Sequence, residues 1–174
     1  MAIDTTAGGG GSVTITGKLD SLTTSRNLDI NSGTAVTEIT EDIGDGVAFT
    51  TLDINAVVGD NTNTGGVTLG GNIGGTAAGS GNTQIGNTKT TGAITLSGTT
   101  YFTNGTLDFK SNGVGGSYVI NNASDVTIKT TGVSTVTFGT NDLTIGNAKL
   151  TIDTDPGDTG ANGADITFGG NILG

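Results

Sequence analysis

Residues Leu52–Ile73 read LDINAVVGDNTNTGGVTLGGNI, and residues Leu150–Ile172 read LTIDTDPGDTGANGADITFGGNI. Both keep L-x-I, a Gly-Asp seven residues on, a glycine six further, an apolar-Thr-apolar unit and a closing GGNI, with one residue inserted in the second. A frayed third copy opens the chain as Ile3-Asp4-Thr5, a glycine run, then Val13-Thr14-Ile15-Thr16-Gly17. Self-similarity of this kind marks a stacked repeat architecture, in which no unit buries its apolar face alone and neighbours must do it. Since the outer copies are incomplete, residues 1–174 read as a single β-solenoid segment, excised from or belonging to a longer array, with Met1 as an added initiator.

Composition agrees, mostly by what is missing. The 174 residues include 33 glycines and one proline, with no Cys, Trp or His and only 4% aromatics. Val, Ile, Leu and Thr recur in short regular clusters, which separates the chain from a disordered composition. No helical apolar stripe of useful length is present. A narrow continuous core of short strands fits this pattern better than a round one.

A net charge of −10 excludes phosphate-backbone recognition, because the six basic residues are scattered singly rather than clustered. The same acidity disfavours an anionic membrane surface. No stretch approaches transmembrane length, and Met1-Ala2-Ile3-Asp4 has neither the basic start nor the apolar run of a signal peptide. Without cysteine there is no disulfide framework and no thiol chemistry.

Eleven apolar-x-apolar units follow one another between Gly, Asn and Asp turns. They are Val13/Ile15, Leu28/Ile30, Leu52/Ile54, Val67/Leu69, Ile94/Leu96, Leu107/Phe109, Val126/Ile128, Val136/Phe138, Leu143/Ile145, Leu150/Ile152 and Ile166/Phe168. Period-2 alternation makes each a short strand with one buried side. Their close spacing fits the all-β coils of a parallel β-helix rather than the longer strands and hairpins of a sandwich. Steps of 19, 17 and 23 residues along Leu107, Val126, Leu143 and Ile166 suggest coils of about twenty residues. Eight or nine such coils would stack into a rod roughly 40 Å long. Asn87, Asn104, Asn112, Asn121, Asn122, Asn141 and Asn147 fall in turn regions, where asparagines can link stacked coils. The polar stretch Gly70 to Asn87 reads as a loop bulging from one coil.

The segments GGVTLGGNIGG (65–75), GAITLSGTTYFTNGTLDF (92–109) and GADITFGGNI (163–172) resemble the β-strand repeats of large bacterial surface and secreted proteins of the filamentous haemagglutinin type. That resemblance covers most of the chain and rests on the degenerate motif Gly-x-[VI]-T-[LF]-x-G. It implies a right-handed parallel β-helix, a bacterial extracellular setting, and a role in adhesion or surface coating. The family's amino-terminal secretion module is not in these residues.

Candidate sites are few. Asp153, Asp155 and Asp158, with Asp165 close behind, alternate carboxylates before glycine as calcium requires. The equivalent loop NAVVGDNTNTGG keeps only Gly59-Asp60, which reads the set as a polar turn and any ion as a local clamp. Gly163-Ala164-Asp165 matches the calcium nonapeptide of β-rolls only in part, with Thr167 where an apolar residue belongs. Glu38, Glu41, Asp42 and Asp45 crowd one segment, but glycoside chemistry needs two carboxyls in contrasted environments. Gly70-Gly71-Asn72-Ile73-Gly74-Gly75 has no lysine or following helix for phosphate and reads as turn glycines. Thr14/Thr16 and Thr135/Thr137 would form an ice-binding array only if they stacked on one face.

The expected function is a non-enzymatic structural and interaction module, with head-to-tail self-association and host or cell-surface glycans as partners. The rival is a carbohydrate-active β-helix. A groove lined by two acids and a base on one face favours the rival; smooth faces favour the spacer.

Overall fold

The computed structural model describes residues 1–56, 64–155 and 163–174. It is all-β, with no helix among the described residues, and winds as a parallel solenoid of about six turns, roughly 27 residues each. Its strands are β1 (Ala2–Asp4), β2 (Val13–Ile15), β3 (Asn27–Asn31), β4 (Thr37–Ile39), β5 (Phe49–Ile54) and β6 (Val67–Leu69). These are followed by β7 (Ser80–Asn87), β8 (Ala93–Leu96), β9 (Thr100–Thr103), β10 (Leu107–Ser111), β11 (Ser117–Ile120) and β12 (Val126–Thr130). The last five are β13 (Val136–Phe138), β14 (Leu143–Ile145), β15 (Leu150–Asp153), β16 (Ile166–Phe168) and β17 (Ile172–Leu173).

Stacking sorts them onto three faces. Face A is β1-β3-β5-β7-β10-β13-β16, and face B is β2-β4-β6-β8-β11-β14-β17. Face C begins as single bridges, Leu19 to Ile43 to Ile73 to Tyr101, and widens into β9, β12 and β15. Strand β7 turns the corner between faces C and A, since Ser80 pairs with both Phe49 and Thr103. Every pairing is parallel. Seven strands on each of faces A and B, about 4.8 Å apart, make a stack roughly 30 Å long.

All eleven apolar-x-apolar units are strands, but the coil is larger than twenty residues and the turns are fewer than eight. Leu107 lies on face A, Val126 on face C, Leu143 on face B and Ile166 on face A again. Each step in that series passes over a face, so it measures about two thirds of a turn. The true repeat is seen in pairs such as Ala2 with Asp29, 27 residues on.

The stretch Gly70 to Asn87 is likewise not a bulge. It carries the face C bridge at Ile73 and all of β7, the longest strand at 8 residues. Its sequence SGNTQIGN hides the strand because only Ile85 is apolar. Thr83 takes an inward place held by Leu52 and Leu107 in the adjoining coils, and its hydroxyl meets that of Ser80 at 2.6 Å. Pairing two inward hydroxyls removes the cost of burying either alone. Asn87, expected in a turn, ends this strand buried and donates to Asn55 O at 2.9 Å.

The core is a set of columns running along the axis. Ile30, Ile54, Ile85, Phe109 and Phe138 stack in register on face A, and all are essentially inaccessible to solvent. The Phe109, Phe138 and Phe168 rings continue the column at centroid spacings of 4.8 and 5.1 Å. Each buried aliphatic side chain contributes about 1.5–3 kcal/mol, so stacking neighbours rather than one large core holds the fold.

Register also shows how the sequence copies relate to the coil. The copy from Leu52 runs over faces A, B and C, through Leu52/Ile54, Val67/Leu69 and Ile73. That from Leu150 runs over faces C, A and B, through Leu150/Ile152, Ile166/Phe168 and Ile172. The two copies are therefore one face out of phase. The opening copy, Ile3, Val13/Ile15 and Leu19, runs A, B and C.

Candidate functional site

The corners between faces are where most of the candidate acids lie. Asp4 and Asp153 each end an edge strand and accept an N–H two residues on, from Thr6 at 2.8 Å and Asp155 at 3.0 Å. The next residue closes the loop in both cases. Thr5 Oγ1 donates to Gly11 O at 2.6 Å, and Thr154 Oγ1 donates to Ala164 O at 2.9 Å, each two residues before the following strand. In the middle copy Asn55, with a left-handed φ of 52°, reaches the equivalent Gly65 O at 3.4 Å through its side-chain amide. These hydrogen bonds give Asp153 a structural role at its corner. Asp155 is half-buried, Asp165 is exposed at the entry to β16, and Asp158 lies outside the described residues. Among the described residues no three His, Cys, Asp or Glu side chains are grouped to hold a metal ion.

Glu38, Glu41, Asp42 and Asp45 run along one coil from face B round to face C. Glu38 points outward from the middle of face B, between Thr14 and Thr68 of the adjoining coils. Asp42 Oδ1 accepts the Asn72 N–H of the next coil at 2.8 Å. Lys18 sits 3.0 Å from Asp45 and 3.5 Å from Asp42, and its hydrogen bond to Asp45 leads the causes that push its ammonium upward. This is a solvated ion cluster with a corner clip. Thr14 and Thr137 stand on faces B and A respectively, so the Thr-x-Thr pairs do not share a surface. The outward column of face B is also interrupted by Glu38 and Val119.

Face A holds the arrangement that short-range reading missed. The outward residues Asp29, Asp53, Gln84 and Asp108 lie in register on four successive coils, followed by Thr137 and Thr167. Asp4 and Asn31 flank the first, and Lys110 Nζ lies 2.6 Å from Asp108 Oδ2. Two shallow depressions adjoin along this column, both lined by Asp53 and Gln84. Burial pushes the Asp53 carboxyl above its usual range, and the charge and hydrogen bond of Asp29 push it the same way. Gln84 Nε2 donates to Ala56 O at 2.9 Å, while its Oε1 accepts from Lys110 at 3.2 Å. Asp108 Oδ1 is shut off from solvent without a hydrogen-bond partner. Chemically the column offers hydrogen-bonding acids, an amide and one ammonium to an extended polar ligand.

Asp29, Asp53 and Asp108 are the middle residues of three apolar-x-apolar units, so the signal was present in the sequence. Recognising it required the correct coil length. No protein-family model matches the chain, and no similar protein or solved structure was found among those compared.

Proposed function

We propose that this chain is a structural and interaction module, a rigid β-solenoid segment of a large bacterial surface or adhesin-type protein working outside the cell. The observation that supports this reading best is the use of polar corner side chains. Asp20 accepts the N–H groups of Gly46 and Val47 at 2.8 and 3.2 Å, each from the following coil. Asn72 accepts those of Thr99 and Thr100 at 2.8 and 2.9 Å, and Asp142 accepts that of Asn171 at 2.9 Å. Side chains that fasten coil to coil stiffen a rod, and a stiff rod sets the distance between whatever lies at its two ends. The likeness to filamentous-haemagglutinin-type repeats supports the extracellular setting, and outward Thr, Asn and Asp suit contacts with host or cell-surface glycans. Single-molecule pulling along the axis tests the reading. The chain should hold its length until it unfolds abruptly, whereas gradual lengthening at low force would overturn it.

One observation favours a second reading, a carbohydrate-active β-helix. Asp29, Asp53, Asp108 and Lys110 place acids and a base on a single face, along a shallow groove. There Asp53, whose carboxyl burial and Asp29 push upward, would donate a proton to a saccharide oxygen once protonated, while Asp29 accepts a hydrogen bond from the sugar. Release of new sugar ends from a polysaccharide, lost in Asp53→Asn, would promote this reading over the rod.

A further inference from the structure

Gln84, Asp108 and Lys110 meet on the outer side of face A, across the joint between two successive coils. Asp108 and Gln84 are direct partners on β10 and β7, and Lys110 stands two residues along, opposite Gly86. Lys110 therefore lies on the diagonal from Gln84, a spacing that long side chains span. Its Nζ donates to Gln84 Oε1 at 3.2 Å and lies 2.6 Å from Asp108 Oδ2. The carboxamide is clamped from its other side, since Gln84 Nε2 donates to Ala56 O at 2.9 Å and to Gly86 O at 3.0 Å. Its carbonyl is thereby turned to the lysine. Asp108 Oδ1 is closed to solvent and has no hydrogen-bond partner, so this carboxylate has an oxygen free to carry a proton. A buried acceptor left without a partner needs a reason, and a catalytic role is one. An amine, an amide carbonyl and a carboxylate thus sit together as nucleophile, electrophile and proton carrier.

We propose that Lys110 and Gln84 join spontaneously in an isopeptide bond that staples β7 to β10. Asp108 takes a proton from the Lys110 ammonium, and a turn of the lysine stem brings the free amine onto Gln84 Cδ. The Nζ–Cδ bond forms as the carbonyl π pair moves onto Oε1. Asp108 then passes its proton to Nε2. When the pair on Oε1 returns, the Cδ–Nε2 bond breaks and Nε2 departs as ammonia. The proton that Nζ sheds on becoming an amide leaves with it, so the products are an isopeptide, one ammonium ion and Asp108 as it began. No oxidant, reductant or cofactor takes part, and the chain gives up one positive charge.

Speed is not required, because each molecule reacts once. Strand register makes the two groups permanent neighbours, which amounts to a very high effective concentration of one about the other. The residues joined are 26 apart in sequence, so the bond closes a loop of the unfolded chain as a disulfide would, in a sequence that has no cysteine. The staple goes beyond the structural-module reading and does not depend on it. A solenoid can be stiff without the bond, and the bond can form in a chain that serves as no rod.

Intact mass spectrometry tests the bond. After incubation at mildly alkaline pH the folded chain should weigh one ammonia less than the same chain held throughout in guanidinium chloride, where register is lost. Digestion of the folded sample should release a branched peptide joining Gln84 to Lys110. Lys110→Arg keeps the charge but offers no nucleophilic amine, and it should retain its full mass. Asp108→Asn keeps the shape but cannot carry the proton, and it should link about a hundredfold more slowly. A folded parent that keeps its full mass would overturn the proposal, and that comparison relies on no variant folding. Loss of ammonia that survives Lys110→Arg, or equal rates in the parent and Asp108→Asn, would overturn it as well.

Discussion

The Tyr118 hydroxyl donates to the Phe109 carbonyl at 3.1 Å, joining face B to face A through the inside of the solenoid. The same oxygen accepts the N–H groups of Ser111 at 2.7 Å and Gly139 at 2.8 Å, the latter one coil further on. The ring packs edge-on against Phe138 at 5.4 Å. One phenol therefore brings together three backbone groups near a corner where the chain leaves face A. Tyr118→Phe keeps the ring but leaves the buried Ser111 N–H without this acceptor, at a cost of about 1–3 kcal/mol. Gly139 loses less, since its N–H also reaches Phe109 O at 2.9 Å. Urea denaturation checks the value, and a change under about 0.5 kcal/mol would show that water replaces the hydroxyl.

Strand phase can be tested at Ile54 and Ile152, the matching residues of the two sequence copies. Both point inward, but Ile54 is fully buried between coils whereas Ile152 lies half-covered on the open edge strand β15. Ile54→Ala should cost about 2–5 kcal/mol and Ile152→Ala clearly less, because the cost follows the cavity left behind. Sequence reading alone expects equal losses at the two sites. Equal measured losses would mean that β15 is covered in solution.

Much of the fold was legible because strand and core are local signals. Units such as Val67-Thr68-Leu69 alternate sharply, and their inward side chains are buried as that alternation requires. Coil length was not legible, because faces A, B and C carry near-identical units and nothing local says which face a unit occupies. β7 was hidden for a different reason: Ser80 and Thr83 satisfy each other inside the core, so a polar stretch does the work of an apolar one. The acid column on face A is visible only after register is known. Asp29 and Asp53 are 24 residues apart in sequence yet neighbours in space.

For calcium, metal should prove unnecessary for folding. Asp153 spends one carboxylate oxygen on its own corner, and the middle copy builds the matching corner around Asn55 without that carboxylate. An ion at Asp153 and Asp155 would be a local clamp. Melting curves with calcium and with a chelator should superimpose; a fall in Tm on chelation would make the loop a structural metal site, since a ligand that binds only the folded state must raise its stability.

The face A column makes the solenoid sensitive to pH in a direction that can be worked out. Asp53 faces Asp29 on β3 and Gln84 on β7, with Asp108 and Lys110 one coil beyond on β10 and Asp4 at the end of β1. Its carboxyl is pushed above the unfolded value of 3.8, first by burial and then by Asp29. The folded chain therefore keeps this proton to higher pH than the unfolded chain does. That contribution to stability is fully present below about pH 3.8 and is lost as pH rises through the folded value. Asp4 has the opposite sign, being lowered chiefly by its hydrogen bond to the Thr6 backbone, but it is fully exposed and so weighs little. Asp53→Asn removes the like charge beside Asp29 and keeps a hydrogen-bonding side chain of the same size. The variant should be more stable than the parent at pH 7, and the gap should narrow as pH falls toward 4, because the parent's Asp53 becomes neutral there. Urea midpoints for both chains across that range measure the gap. Parallel curves would mean that Asp53 and Asp29 ionise independently and that the column is fully solvated.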